Sequence, residues 1–95
     1  MADLRVEIDR LDERLVELLS QRQRYIERAA EIKAYRHQIR DEARIADVLA
    51  KVSKAAETAG LEPKIAQAVW HTLVEASIKL EMARFEALSA ANNSE

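Results

Sequence analysis

The sequence predicts an all-α protein, a three-helix chain with a long first helix, and three observations carry that prediction. First, residues that make turns are scarce, with one Gly and one Pro in 95 residues. A β architecture of this size needs many more. Second, Ala, Leu, Glu, Arg, Lys and Ile dominate, most of them strong helix formers. Third, apolar residues recur in steps of four and three, the spacing of one helix face. Composition also limits function. The chain has no Cys, which excludes a disulfide framework and a thiolate zinc site and suits a reducing compartment. The longest apolar runs are three residues, as in Val48-Leu49-Ala50, too short for a membrane span or a signal-peptide core. A net charge of −2 with both signs interspersed provides no basic face for nucleic acid. The expectation is a soluble cytoplasmic domain that engages neither membrane nor nucleic acid.

The first helix is expected from Asp3, as N-cap, to about Tyr35. Its seam is Leu4, Ile8, Leu11, Leu15, Leu18, Tyr25, Ala29 and Ile32, coiled-coil-like in spacing. His37-Gln38-Ile39-Arg40 breaks that register and reads as a loop. Asp41 is the expected N-cap of a second helix that turns Ile45, Val48, Leu49, Val52 and Ala56 inward. Gly60 stops it, since Gly takes the left-handed backbone of a helix end without strain. Pro63 opens the third helix, where its missing N–H is harmless. That helix carries Ile65, Val69, Trp70, Leu73, Val74, Leu80 and Phe85 inward and fades near Ser89. Residues 1–88 are the expected domain and 89–95 a disordered tail.

Helix length predicts an oligomer. About 32 residues make a first helix of roughly 48 Å, with roughly 28 Å and 39 Å for the others. A compact chain of this size has a radius of gyration of about 12–13 Å. The first helix would project from such a globule with its seam in water, so a homodimer is expected.

Two apolar seams contain polar residues. Stepping on from Leu18 leads to Arg22, and Lys33 lies eleven residues further, about 20° away around the helix. In the third helix Trp70, Leu73, Ser77 and Glu81 share one direction to within roughly 40°. Inward charges must be paired or engaged with something. One reading is an internal ion pair, Glu81 with Lys33 or Arg22, that sets helix register. The other is a polar cavity with two cations poised for an anionic ligand. The remaining candidates are weaker. His37 and His71 lack companions at metal-ligand spacing and read as a loop and a surface histidine. Ser77 has no histidine in a nucleophile arrangement. Glu13, Arg14, Glu17, Glu27 and Arg28 form an ordinary solvated face.

These residues resemble the all-helical class of chorismate mutases, with its relatives the isochorismate–pyruvate lyases. The likeness runs from Leu4-Arg5 through Ile8-Asp9-Arg10-Leu11-Asp12 and Leu18-Leu19 to Arg22 and Lys33. It continues with Asp41 and Arg44, Gly60-Leu61, Glu75-Ala76-Ser77 and Glu81, ending near Leu88. The resemblance implies an intertwined homodimer in which Arg5 of the partner subunit completes each site. It implies that Arg22 and that Arg5 bind the two carboxylates of chorismate, a task suited to the guanidinium fork. Lys33 would reach a carboxylate and the ether oxygen, and Ser77 would support a carboxylate contact. Arg44 and Asp41 would lie near the ring hydroxyl, and Glu81, when protonated, would donate to the ether oxygen opposite Lys33. Chorismate rearranges to prephenate by a concerted shift that needs no metal, cofactor or nucleophile, only a clamped conformer and donors for developing charge.

Two positions depart from the family pattern. Ile45 stands where many mutases carry a Glu toward the hydroxyl, whereas the lyases are apolar there. Glu81 stands where many members have Gln, which donates at any pH. Isochorismate–pyruvate lyase is therefore the alternative activity, and a mutase of an amino-substituted chorismate a lesser one. A non-catalytic helical interaction module is the reading from a different class.

Overall fold

The computed structural model describes residues 1–93, and its elements are α1 (Ala2–Ile32), a short 3-10 turn (Arg36–Gln38), α2 (Glu42–Ala59) and α3 (Pro63–Asn93). The described residues contain no strand. α3 is the central element and packs against both α1 and α2. It runs parallel to the second half of α1, since Arg22 meets Ser77 and Glu27 meets Arg84. It runs antiparallel to α2, which it joins through Gly60 and meets again where Arg40 reaches Glu75.

Local chemistry explains most boundaries. Asp41 accepts a hydrogen bond from the Arg44 amide at 3.1 Å and so caps α2 as expected. Gly60 closes α2 at φ 76°, and its N–H and that of Leu61 turn back to carbonyls of the last turn. Pro63 begins α3.

Three boundaries differ from the sequence expectation. α1 starts at Ala2 rather than after Asp3; Met1 is the cap residue and Asp3 lies in the first turn, where its charge complements the helix dipole. α1 also stops at Ile32, before the expected Tyr35, and Lys33 is its C-cap with an extended backbone at φ −66°, ψ 133°. The cause lies in the loop: Gln38 Oε1 accepts from the Ala34 and Tyr35 amides, both at 2.9 Å, so those N–H groups never join the helix. α3 continues through Asn93, past the expected fade at Ser89, because Ala90 and Ala91 are strong helix formers with no breaker between them. It is therefore as long as α1, each having 31 residues. Residues 94 and 95 of the expected tail lie outside the described residues.

Burial within the chain is sparse. Among the described apolar residues only Ala30, Ile39, Ala56, Ala66 and Val74 are buried, three of them alanines. The accessible surface is 7729 Å², against roughly 5,500 Å² for a compact monomer of this mass. The radius of gyration is 16.6 Å and the extents are 59 × 28 × 16 Å. Much of the excess is the first half of α1, where Leu4, Ile8, Leu11, Leu15 and Leu18 stand in solvent, Leu11 at 61% exposure. The expected inward positions of α2 do turn toward α3. Tyr25 and Ile32 of α1, and Ile65 and Val69 of α3, instead face outward. The face that α1 turns to α3 carries Leu19, Arg22, Ile26 and Ala30, one step around the helix from the predicted seam.

Candidate functional site

α1 and α3 bring four of the predicted polar residues together in two facing pairs. Arg22 donates to the Ser77 hydroxyl at 2.7 Å. Lys33 Nζ meets Glu81 Oε1 at 2.5 Å. Ser77 and Glu81 are one turn apart on α3, so both project from the face that also carries Trp70 and Leu73. The pairs differ in charge balance. Glu81 is only 4% exposed, and Lys33 supplies the cation that such a carboxylate requires. Arg22 has a neutral partner and no carboxylate within ion-pair distance among the described residues. Burial, and secondarily the neighbouring positive charge of Arg44, pulls its pKa below the ordinary arginine value.

Arg44 projects from the first turn of α2 toward this region, and Asp47 holds its guanidinium at 2.6 Å. Asp47 also receives Lys51 at 2.9 Å, and these two hydrogen bonds lower its pKa against a smaller opposing effect of desolvation. A groove of about 260 Å³ lies between α1 and α3, with Leu19, Ile26 and Leu73 as apolar walls and Arg22 and Ser77 as polar ones. A wider depression of about 670 Å³ opens beside Lys33, His37, Arg40 and Asp41. Lys33 sits in its wall because α1 ends there and the extended backbone redirects the side chain toward α3.

The other predicted site residues are placed differently. Asp41 is engaged as the α2 cap. Ile45 is half-buried on the inner side of α2. Arg5 lies seventeen residues before Arg22 on one continuous helix, about 26 Å along the axis, and makes no ion pair among the described residues. It shares no cavity with Arg22 in its own chain. Of the alternatives open from sequence, the internal ion pair exists as Lys33–Glu81, while Arg22 has a hydroxyl partner and no carboxylate among the described residues.

Among the interactions that escaped the sequence reading, two lie beside the predicted site residues. Arg40 makes a two-pronged contact with Glu75, at 2.9 and 3.1 Å, and donates to Glu42 at 2.9 Å. Hydrogen bonds to Glu75 and then Glu42 raise the Arg40 pKa, and the same contact lowers that of Glu75. The second is the stacking of Tyr35 on His37, 5.6 Å between ring centroids and 12° between planes. The signal for Arg40 was its position immediately before the cap residue Asp41, but nothing local names its partner 35 residues away.

Fold and side chains together define an all-α chain with Arg22 lining one interhelical groove and Lys33 a separate depression beside it. The chorismate mutase type II family matches residues 4–82, and the chain belongs to that family. No curated protein matches it. Among the described residues no helix is long and apolar enough to cross a membrane.

Proposed function

We propose that the protein is a chorismate mutase that converts chorismate to prephenate, and that it acts as a homodimer. The observation that carries this reading is Arg22, a part-buried cation whose partner is a hydroxyl and whose neighbour is a second arginine. Arg44 has Asp47 as its counterion, whereas part-buried Arg22 has none among the described residues, so a carboxylate entering the groove would supply it. Arg22 and Ser77 would hold one carboxylate of chorismate, and Arg5 of the partner subunit the other. Lys33 and Glu81 would flank the ether oxygen that gains negative charge as its bond to carbon breaks. Arg44 and Asp41 would lie toward the ring hydroxyl. No cofactor is required, since the rearrangement is concerted and the residues need only hold a compact conformer and stabilise developing charge.

Surface physics supports the dimer. The chain exposes roughly 2,200 Å² more than a compact monomer would, a per-chain area suited to an obligate interface. The wet leucines of α1 and the apolar groove of Leu19, Val69, Leu73 and Ala76 supply self-complementary surfaces. The same association would carry Arg5 to the other protomer's groove. A cytoplasmic location fits the absence of Cys.

Ile45 favours a second reading, isochorismate–pyruvate lyase, because an apolar side chain on the inner side of α2 offers the ring hydroxyl no hydrogen bond from that position. Assay of the purified protein with chorismate and isochorismate in parallel, with products identified, tests both. Prephenate from chorismate is the expected outcome. Faster release of salicylate and pyruvate from isochorismate would replace the mutase with the lyase, and inactivity on both would refute the enzymatic reading.

A further inference from the structure

We infer that the Arg40–Glu75 contact is a clasp that positions Arg44 and Lys33 against Arg22 and Ser77, making Arg40 and Glu75 positioning residues of the proposed site. This rests on the mutase reading and deepens it. The segment from Ala34 to Asp41 has Lys33 before it and Arg44 three residues beyond it. Both cations therefore depend on how that segment is held. Besides Arg40 it has three fixings among the described residues: Gln38 folds back onto the Ala34 and Tyr35 amides, Ile39 is buried at 4% exposure, and Arg36 approaches Glu86 of α3 at 3.5 Å. Gln38 organises the turn internally without tying it to α3. Ile39 anchors it by an apolar contact, which sets depth but little direction.

Arg40 supplies the more directional tie to α3, since the Arg36–Glu86 approach is longer and single-pronged. Its guanidinium meets both oxygens of Glu75, at 2.9 and 3.1 Å, the geometry that fixes a planar group in orientation as well as distance. Glu75 lies two residues before Ser77, and Arg40 directly precedes the α2 cap. The clasp thus sets where the N-terminus of α2, and with it Arg44, sits relative to Ser77 and Arg22. An exposed ion pair adds little to global stability, so its effect is expected in the population of the binding-competent arrangement rather than in folding.

Glu75→Ala tests this by sign. Removing a negative charge near an anion site strengthens binding on electrostatics alone, whereas loosening the clasp lowers the competent fraction and weakens it. The clasp predicts KM for chorismate raised about tenfold, with kcat and melting temperature little changed, because bound substrate restores the arrangement. Arg40→Ala should match it, and the double variant should be no worse than either single one, as partners in one contact behave. Arg40→Lys, which keeps the charge without the fork, should recover only part of the loss. Amide exchange provides a readout apart from activity: residues 34–41 should exchange faster in both single variants. A lowered or unchanged KM in Glu75→Ala, additive effects in the double variant, or unaltered exchange would each overturn the clasp. An inactive parent protein would instead sink the mutase reading.

Discussion

The first half of α1 carries leucines and an isoleucine into water, whereas its second half carries Arg22, with Lys33 just past its end, toward α3. Each half departs from the ordinary division of side chains, and in opposite senses. On the outer half the departure is uniform: Leu4, Ile8, Leu11, Leu15 and Leu18 form one stripe with nothing in the chain to cover it. On the inner half it is selective, since Arg22 shares its side of the helix with Leu19, Ile26 and Ala30, and Lys33 follows just past the helix end. A uniform apolar stripe fits another apolar surface, and isolated cations among apolar neighbours fit a small anion. In the proposed dimer one helix would meet two different requirements, association and ligand binding, with Arg5 near its start linking them.

The strongest way to break this contrast is to make the outer half polar. Leu11→Asp with Leu15→Asp places two charges in the stripe while leaving every proposed site residue in place. Burial of each such leucine contributes about 1.5–3 kcal/mol, and a chain with so few buried residues has little stability to spare. We expect loss of helicity by circular dichroism, loss of the dimer in sedimentation, and loss of activity. A double variant that stays helical and active would show that the stripe has no structural partner.

On the inner half, Arg22→Ala should lower kcat/KM about a thousandfold, the range of a lost donor to developing or bound negative charge. Its helicity should persist, because Ala suits a helix and Arg22 has no carboxylate to orphan. Near-normal turnover would remove Arg22 from the site. The link between the halves has its own test. Arg5→Ala and Arg22→Ala should each be inactive alone, yet the two co-refolded should recover about a quarter of full activity. Half the dimers would then be mixed, and each mixed dimer has one intact site of two. No recovery would mean that Arg5 does not act across the interface.

Legibility in the sequence divided along the same physical line. Asp41, Gly60 and Pro63 marked their boundaries correctly because capping chemistry is local. Arg22, Ser77 and Glu81 could be placed on inward faces because they lie in uninterrupted helix, where 100° per residue holds. Lys33 was reached by the same arithmetic although α1 has already ended, and its contact with Glu81 depends on the extended backbone there. Loop geometry was the part out of reach. That Gln38 captures two amides and that Arg40 finds Glu75 depends on how distant segments fold together, which periodicity does not encode. Tyr25, Ile65 and Val69 were assigned inward because an apolar residue on a helix face signals burial without saying in which chain.

The smallest expected effect falls on the Lys33–Glu81 pair, where the two readings of an inward charge remain closest. In the unliganded chain Glu81 neutralises Lys33. As a carboxylate it only accepts hydrogen bonds, so it opposes negative charge growing on the ether oxygen. Glu81→Gln keeps the length of the side chain, offers an N–H donor and leaves the Lys33 charge unmatched. If the pair serves catalysis, this variant should turn over chorismate several-fold faster at neutral pH, about 1 kcal/mol in barrier. If the pair serves mainly to hold α1 against α3, losing it leaves Lys33 part-buried without a counterion, and both melting temperature and rate should fall. Measuring the two quantities on one preparation separates these outcomes, because a faster enzyme with a lower melting temperature arises only if Glu81 supports stability at the expense of rate.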